Sequence, residues 1–563
     1  MKKPRRALIL IALYVLALGI RVYWLSQKEG LHVDEGLTVA LASYNDYMVT
    51  ANYEFGEKYT GKEIKEASLA SDASVKGALA DIRDLWKDNR DPPHTNLYYS
   101  LLRISLIGLK SGEMPQLVLR GGILNLLFFT VSFIFFFLLM RLLFPGVELL
   151  QYAAVFCAFL STASISNTLF IRPYQLQETL FIIFCYYFVL NIGWMKCIIH
   201  ERKLFFSIKQ IAFMAFVTAV TLLTGYYTVL FIGLFGIFAI FLLCRTKRFA
   251  EIPFYFVVLC FGIVFAQVLY PKYVSGFFSY RGNETIKTIT ENMAENIRTS
   301  IMTAGTFLHK HFFTWPLIIV CVLCFAYTMY LLIRDRRIYD KKTYPAMFKM
   351  TWYIFAVSIL YLLIVLIIAP YKVLRYGMPV FPFLVILPAM LIYFIGEKSR
   401  KIAAVAMLLL CACSVWNATR EKNIENIFRN KPDEYVFAKD KDTPVYVLNA
   451  RWSLWKYANL IPYLNDEQEY YFIDWYPYFD GYMRSGQKRI DLDLPEVEEY
   501  ESVYLVYEYF PDFLQYYDFI DSVLLNLQTQ HGTFLEIDGE FEINTAEPES
   551  WFPYFKGKKI IMQ

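Results

Sequence analysis

The chain is short of charge. Only 19% of its 563 residues are Asp, Glu, Lys or Arg, against about 25% in an average soluble domain, and 57% are hydrophobic. This composition excludes an ordinary soluble globular protein and favours a chain embedded in lipid. The formal net charge of +4 does not gather into a basic stripe, which excludes a nucleic-acid-binding surface.

Several motifs that would define a soluble enzyme are also missing. The sequence contains no Gly-rich phosphate loop, no Walker sequence and no recognisable Ser-His-Asp motif, so nothing favours soluble nucleotide-dependent chemistry. The nine cysteines all lie in or beside apolar segments, and we expect no disulfide framework. Internal repeats, which many transporters carry, are absent as well.

Long apolar runs are abundant. A hydrocarbon core about 30 Å thick needs about 17 to 25 residues per span, and eleven runs qualify. They lie at 7–26, 120–142, 149–168, 176–195, 207–224, 227–244, 251–270, 313–333, 350–369, 377–395 and 402–418. Lys and Arg fall in alternate short loops, which places the N-terminus in the cytoplasm. The first run lacks a small-residue cleavage site and is interpreted as an uncleaved span.

This topology leaves three large pieces outside the cytoplasm, at 27–119, 271–312 and 419–563. The apolar stretch 97–109 is short and carries Arg103, so it is expected to lie along the outer interface. Polar residues 57–88 predict one or two helices above the membrane. In the tail, strand-like runs at 444–448, 469–472 and 502–507 alternate with helix-like runs at 453–464 and 512–528.

The predicted architecture is therefore a polytopic α-helical membrane domain, residues 1–418, followed by an extracytoplasmic α/β domain, residues 419–563. The predicted location is the plasma membrane, which the chain crosses several times.

An acidic pair follows the first span. Asp34 and Glu35 stand in HVDEGLTVALASY, close to the bilayer and accessible from outside. A carboxylate near low-dielectric surroundings can have its pKa raised toward a value that suits a general base. A solvated loop acid or a helix-capping acid is the alternative interpretation of the same position.

Cations at the outer ends of the spans are exceptions to the positive-inside pattern. Together they suit a phosphate head group, because Arg offers a two-pronged donor and Lys a point charge. For any single one of them, anchoring to lipid head groups is the alternative. The set comprises Arg120, Arg172, Lys272, Arg281, Lys372 and Arg375.

A divalent metal is a second hypothesis for the outer face, because several histidines fall there beside Asp34 and Glu35. Their spacing matches no metal motif such as HExxH, which favours ordinary loop histidines and no metal. The histidines in question are His32, His94, His309 and His311.

Four segments together resemble the GT-C superfamily of membrane glycosyltransferases. Within it they are most similar to family 39, the protein O-mannosyltransferases and aminoarabinose lipid A transferases. The segments are HVDE after the first span with DPPHTNLYYSLL at the end of the long loop, LRGGILNLLFF in the second span, FIRPYQLQETLFIIF before the fourth, and VLRYGMPVFPFLVILPA before a late span. Their order agrees over most of residues 1–418, whereas the C-terminal domain matches no motif.

The resemblance implies an inverting glycosyltransferase that moves a sugar from a polyprenyl-phosphate donor to an acceptor in the cell envelope, which is a glycan, a lipid or a protein. It implies Asp34 as the base, with Glu35 beside it as a second catalytic carboxylate or a support. The implied phosphate-binding residues are Arg172, Arg375, Lys372 and Arg120, and the implied substrate-binding residues are His94, Tyr98, Tyr174 and Tyr376. His94 departs from the family pattern because it follows Pro92 and Pro93 instead of preceding them.

Two other functions remain open on the sequence. A transporter or flippase for lipid-linked glycans would place ionisable residues near the membrane midplane. A membrane scaffold without catalytic activity would leave Asp34 dispensable.

Overall fold

The computed structural model describes most of the chain. Its described residues are 3–562 except 29, 45–52, 70–71, 92–93, 110–113, 200–207, 246, 248, 250–251, 279–283, 286, 289, 291–292, 335–346, 428–439, 459, 486–491, 493, 509–513, 531–535 and 544–554. Pro92, Pro93 and Arg281, and the basic loops within 200–207 and 335–346, lie outside the described residues.

Helices dominate the first three quarters of the chain. They are α1 Lys3–Ser26, α2 Val33–Ala42, α3 Gly61–Leu69, α4 Val75–Lys87, α5 Leu97–Ser105, α6 Met114–Leu143, α7 Glu148–Phe159, α8 Thr162–Leu169, α9 Tyr174–Ile199, α10 Ile208–Leu222, α11 Thr228–Arg245, α12 Ile252–Leu269, α13 Tyr273–Phe277, α14 Met293–His311, α15 Trp315–Arg334, α16 Met347–Ile368, α17 Ile386–Lys398 and α18 Arg400–Ala418. The last part adds α19 Tyr476–Ser485 and α20 Leu514–Gln530.

Each of the eleven predicted spans coincides with a helical segment. Within the described residues, 7 helices are long and apolar enough to cross a membrane, or up to 9 if two bent pairs each count as one span. One bent pair is α7 with α8, which meet at 54°. The predicted helical, multi-pass class is confirmed, while the number of spans stays a prediction.

The helices α1, α8 and α9 are joined by a buried polar network beneath the end of the bundle that carries α2. Arg21 donates to Ser164 Oγ at 3.0 Å and to the Phe159 carbonyl at 2.8 Å. Ser164 in turn donates to Glu178 Oε1 at 3.2 Å. Buried charges are tolerated when their hydrogen bonds are satisfied, so this network fixes the three helices relative to one another.

Two adjacent glycines let α6 pack tightly beside this network. A Cβ atom on Gly121 would lie 2.8 Å from Ile171, and one on Gly122 would lie 2.4 Å from Leu25. Both distances are shorter than a carbon contact allows, so a larger residue at either position would force the Ile171 or Leu25 side chain to move. The close approach brings the loop before Arg172 next to the end of α1.

A six-stranded sheet follows the helical bundle. Its strands are β1 Lys58–Thr60, β2 Val445–Leu448, β3 Glu469–Ile473, β4 Ser502–Glu508, β5 Glu536–Ile543 and β6 Phe555–Ile561. Their order is β1-β3-β2-β4-β6-β5. The central strands β3, β2 and β4 are parallel, whereas β1, β6 and β5 each pair antiparallel to their neighbour.

The two faces of the sheet pack differently. Along β2, Val445 and Val447 join the apolar core that continues into the helical bundle. Tyr446 and Leu448 point to the opposite face, where they pack with α19 and α20 residues such as Phe479 and Phe519. This alternation is the period of two expected for a strand buried on both faces.

The structure adds a strand from the first outer loop to the sheet of the tail and corrects one predicted element. Strand β1 comes from residues 58–60 of the first outer loop and pairs with β3, while the domain boundary between 1–418 and 419–563 stays a prediction. The predicted helix at 453–464 is a pair of short 3-10 segments, Arg451–Tyr457 and Ile461–Tyr463. The three predicted strands of the tail and its last helix are confirmed.

Candidate active site

The acidic pair opens helix α2. Backbone N–H of Asp34 donates to His32 Nδ1 at 3.0 Å, and backbone N–H of His32 donates to Glu35 Oε2 at 2.7 Å. This reciprocal pair of bonds is a capping box, which fixes where the helix begins. Burial lowers the pKa of His32 to about 3, so its Nδ1 stays available as an acceptor near neutral pH.

Asp34 is held against an arginine from a distant part of the chain. Its Oδ2 lies 2.7 Å from Arg375 Nη1, and the two side chains are only 15% and 16% exposed. Burial alone would raise the pKa of Asp34, but the charges of Arg375 and Arg172 outweigh it and hold that pKa below its ordinary value. The carboxylate is therefore ionised and partly accessible.

Arg172 contacts the main chain of Asp34. Its Nη1 donates to Thr38 Oγ1 at 2.7 Å and to the Asp34 carbonyl at 3.4 Å, and its Nη2 lies 2.9 Å from His94 Nε2. Thr38 stands one turn after Asp34 on α2, so the helix positions both groups. The cluster thus unites residues from α2, from the α8–α9 connection and from the segment before α17.

Asp91 completes the cluster behind His94. Its Oδ2 lies 2.7 Å from His94 Nδ1 and accepts a hydrogen bond from the Tyr99 hydroxyl at 2.5 Å. Burial would raise the pKa of Asp91, but His94 and Arg172 act against burial and lower it. A proton on Nδ1 facing Asp91 leaves Nε2 free to accept from Arg172. The sequence analysis missed Asp91, although it opens the DPPHTN segment.

Aromatic rings line the cluster. Tyr174 stacks on Phe170 with ring centroids 5.9 Å apart and meets Tyr376 edge-on at 6.4 Å. Tyr227 meets Tyr376 at 5.5 Å, and the Arg375 guanidinium lies 5.8 Å from the centre of the Tyr376 ring. The predicted positions Tyr174 and Tyr376 therefore stand beside Asp34, and Tyr227 joins them without having been predicted.

Glu35 faces away from Asp34 and is buried. Its Oε1 accepts from the backbone N–H of Ile171 at 2.7 Å, and its Oε2 accepts from Lys28 Nζ at 2.9 Å as well as from His32. Lys28 also donates to the Asn426 carbonyl at 2.8 Å. Glu35 thus ties the start of α2 to the residue before Arg172.

Three predicted residues make no hydrogen bond to Asp34, Arg172 or Arg375 within the described part of the chain. Lys372 donates to the carbonyls of Leu366, Ile367 and Ala369 at the end of α16, where burial lowers the pKa of its ammonium. Arg120 donates to the carbonyls of Ser105 and Ile107 at the end of α5. Tyr98 is buried and donates to Asn125 at 3.2 Å. In these positions they cap or join helices, because unpaired carbonyls at helix ends attract donors.

The two arginines next to Asp34 retain unused donors. The Nε atoms of Arg172 and Arg375 are buried and have no hydrogen-bond partner among the described residues. Arg375 forms an ion pair with Asp34. By contrast, no carboxylate oxygen of the described residues lies within 4.0 Å of an Arg172 nitrogen. Buried donors are rarely left unpaired, so the site can accept an anion with several oxygens.

The described residues contain no group of three or more His, Cys, Asp or Glu side chains arranged to hold a metal ion. Of the four histidines considered as ligands, His32 caps α2 and His94 bridges Asp91 and Arg172. His311 lies 3.2 Å from Glu425.

Comparison with known proteins finds similarity in structure only. No protein-family model matches the sequence, and no curated protein does. The chain is similar to ArnT from Cupriavidus metallidurans bound to undecaprenyl phosphate, with a TM-score of 0.49, 10% identity and 97% of each chain covered. The apo state of the same protein gives a TM-score of 0.45 and 11% identity, with 97% of each chain covered.

The apo oligosaccharyltransferase of Archaeoglobus fulgidus gives a TM-score of 0.42 and 12% identity over 82% of this chain and 65% of that one. These neighbours are glycosyltransferases of the GT-C fold, the superfamily that the motifs resemble. Identities of 10 to 12% and TM-scores below 0.5 carry no argument about activity, so the chemistry proposed below rests on the residues of this chain.

Proposed function

We propose that this protein is an inverting glycosyltransferase that transfers a sugar from a polyprenyl-phosphate donor to an acceptor at the outer face of the plasma membrane. One observation carries the proposal. The ionised carboxylate of Asp34 lies against Arg375 and beside Arg172, and the Nε donors of both buried arginines are unused by any described residue. A base next to an anion site is the minimum that a sugar transfer from a lipid phosphate requires.

The anion is the phosphate of the donor. A sugar linked to polyprenyl phosphate is a phosphodiester with one negative charge, and guanidinium groups bind such oxygens through two parallel hydrogen bonds. Arg172 is the fixed partner, because Thr38 and His94 hold it in place. The apolar tail of the donor stays in the bilayer that surrounds the bundle.

Asp34 acts on the acceptor. It accepts the proton of an acceptor hydroxyl or amine while that oxygen or nitrogen attacks the anomeric carbon. The acceptor attacks the face of this carbon opposite the phosphate, and the bond between the carbon and the phosphate oxygen breaks. The configuration at the carbon is therefore inverted. One carboxylate suffices, since the phosphate leaves with its electron pair and needs no proton from a second acid.

The arginines accelerate this step because charge grows on the phosphate as it leaves. The group changes from one negative charge toward two, so the arginines bind the transition state more strongly than the donor. Tyr174 and Tyr376 line the site with aromatic rings on which the apolar side of a sugar can stack, and Phe170 supports the Tyr174 ring from behind. Glu35 contributes indirectly, because it holds the backbone immediately before Arg172.

A direct test uses the purified full-length protein with a panel of polyprenyl-phosphate sugars. The wild type is expected to consume at least one donor. Asp34→Asn is expected to lower kcat by about 10² to 10⁴, the usual contribution of a general base. If wild type consumes no donor, or if Asp34→Asn is equally active, the proposal is wrong.

Asp81→Asn is the matched control, because Asp81 also pairs with an arginine, Arg103 at 2.6 Å, and is 16% exposed. Its activity should match wild type. Sidedness is tested separately by a reporter fused after Gln563, which should be found outside the cytoplasm. A cytoplasmic signal would contradict the proposed location of the C-terminal domain and of Asp34.

A further inference from the structure

Asp34 and the proposed phosphate ligand make demands on the same guanidinium group. In the structure, Arg375 Nη1 lies 2.7 Å from Asp34 Oδ2. A carboxylate that accepts such a bond has one lone pair engaged and a positive charge beside it, and both effects make it a poor proton acceptor. The residue proposed as the base is therefore restrained by a residue proposed to bind the donor.

We propose that Asp34 and the donor phosphate compete for Arg375, so that donor binding releases Asp34 to act as the base and Asp34 later displaces the spent lipid phosphate. This inference rests on the proposed function, because it assigns the anion site to the donor. In this scheme Arg375 exchanges between two anions, Asp34 and the donor phosphate. Arg172 binds the phosphate only and keeps its other partners throughout.

The surroundings of the two arginines support this division. Arg172 is anchored by Thr38 and His94, neither of which is an anion that phosphate would have to displace. Arg375 lies on a short 3-10 turn from Leu374 to Tyr376. Among the residues that the structure describes, it has a single ion pair and an Nε without a hydrogen-bond partner. The backbone of Asp34 is fixed by the capping of α2, and its short side chain can move little from that position. The side chain that can change partners is that of Arg375.

The exchange orders the reaction. A bound phosphodiester takes Arg375, and the freed Asp34 carboxylate then accepts the proton of the acceptor as the new glycosidic bond forms and the bond to phosphate breaks. Asp34 is neutral until it passes this proton to solvent. Once ionised again, it competes for Arg375 with the phosphate of the spent carrier and so favours release of that product.

The competition is measured with polyprenyl phosphate alone as the probe. Its affinity for the full-length protein in detergent is compared between wild type and Asp34→Asn. We expect Asp34→Asn to bind at least about fivefold tighter, on the order of 1 kcal/mol, since the competing anion has been removed. Asp34→Ser should bind tighter to a similar degree, because loss of the negative charge is the cause in both variants.

A double-mutant cycle identifies the guanidinium involved. Arg375→Gln is expected to bind polyprenyl phosphate more weakly than wild type, and adding Asp34→Asn to it should then change the affinity little. Asp81→Asn removes a comparable carboxylate from Arg103 and should leave the affinity unchanged.

The outcomes separate the two proposals. Equal or weaker binding by both Asp34→Asn and Asp34→Ser would overturn the competition while leaving the proposed function standing. If Asp81→Asn raised the affinity for polyprenyl phosphate as much as Asp34→Asn, the competition would also be overturned. The effect would then come from the loss of any negative charge and not from Asp34. Wild-type protein that does not bind polyprenyl phosphate at all would instead contradict the proposed function.

Discussion

Replacement of Glu35 by Gln is expected to destabilise the end of the bundle that carries Asp34. The buried carboxylate accepts three hydrogen bonds, from the backbone of His32, the backbone of Ile171 and the ammonium of Lys28, at 2.7, 2.7 and 2.9 Å. A Gln side chain has only one acceptor oxygen, so it must present its amide hydrogens to at least one of these donors.

The magnitude follows from burial. The side chains of Lys28 and Glu35 are both 0% exposed, and removing one partner of a buried ion pair costs about 3 to 5 kcal/mol. We therefore expect Glu35→Gln to lose about that much unfolding free energy. Glu35 also holds the backbone of Ile171, the residue immediately before Arg172. Loss of this hydrogen bond should displace Arg172, so we also expect a higher KM for the donor.

The assay is thermal unfolding of the detergent-solubilised protein together with donor kinetics. The matched variant is Lys28→Met combined with Glu35→Gln, which removes both charges. It should be less destabilised than the sum of the two single variants, since neither charge is left buried alone.

One result would refute this reasoning. If Glu35→Gln unfolds like wild type and keeps the donor KM but loses kcat, then Glu35 acts on the reacting atoms and not through position.

Three further predictions concern other parts of the molecule. His32 is neutral when folded, with a pKa of about 3 against an ordinary value near 6.5, so its unfolded form binds the extra proton. Stability should therefore fall as pH decreases from 6.5 toward 3, by about 1.4 kcal/mol per unit from this group, and His32→Asn should flatten that slope in unfolding measured across pH. Gly61→Ala would place a Cβ 1.9 Å from the backbone oxygen of Asn465, which should loosen the pairing of β1 with β3 and speed proteolysis there. In Gly305→Ala the new Cβ meets nothing within 4 Å, so proteolysis should not change. Arg172→Gln should raise the donor KM strongly, whereas Arg120→Gln, which loses only contacts at the end of α5, should change it little; equal effects would contradict the assignment.

Local sequence patterns predicted much of this protein because they express local physics. Runs of apolar residues must be helical in lipid, so each predicted span appears as a helical segment. The acidic pair and the RPY and RY segments indicated Asp34, Arg172 and Arg375, and the fold brings these three together. Their chemical roles stay a prediction.

What the patterns could not predict depends on contacts between distant segments. Arg120 and Lys372 stand at span ends like Arg172, and only their hydrogen bonds to helix-end carbonyls separate them from the cluster. Asp91 was overlooked because a carboxylate beside prolines has no local signature for pairing with a histidine. Strand β1 has three residues, too short for a period of two to be recognised.

The sequence by itself determined that the chain carries segments long and apolar enough for lipid and where its helices run, because hydropathy and segment length suffice for that. Only the tertiary structure showed which groups each acid of the HVDE segment contacts. Both stand at the start of α2, but successive residues of a helix point about 100° apart. Asp34 thus meets Arg375, while Glu35 turns inward to Lys28 and the backbone of Ile171.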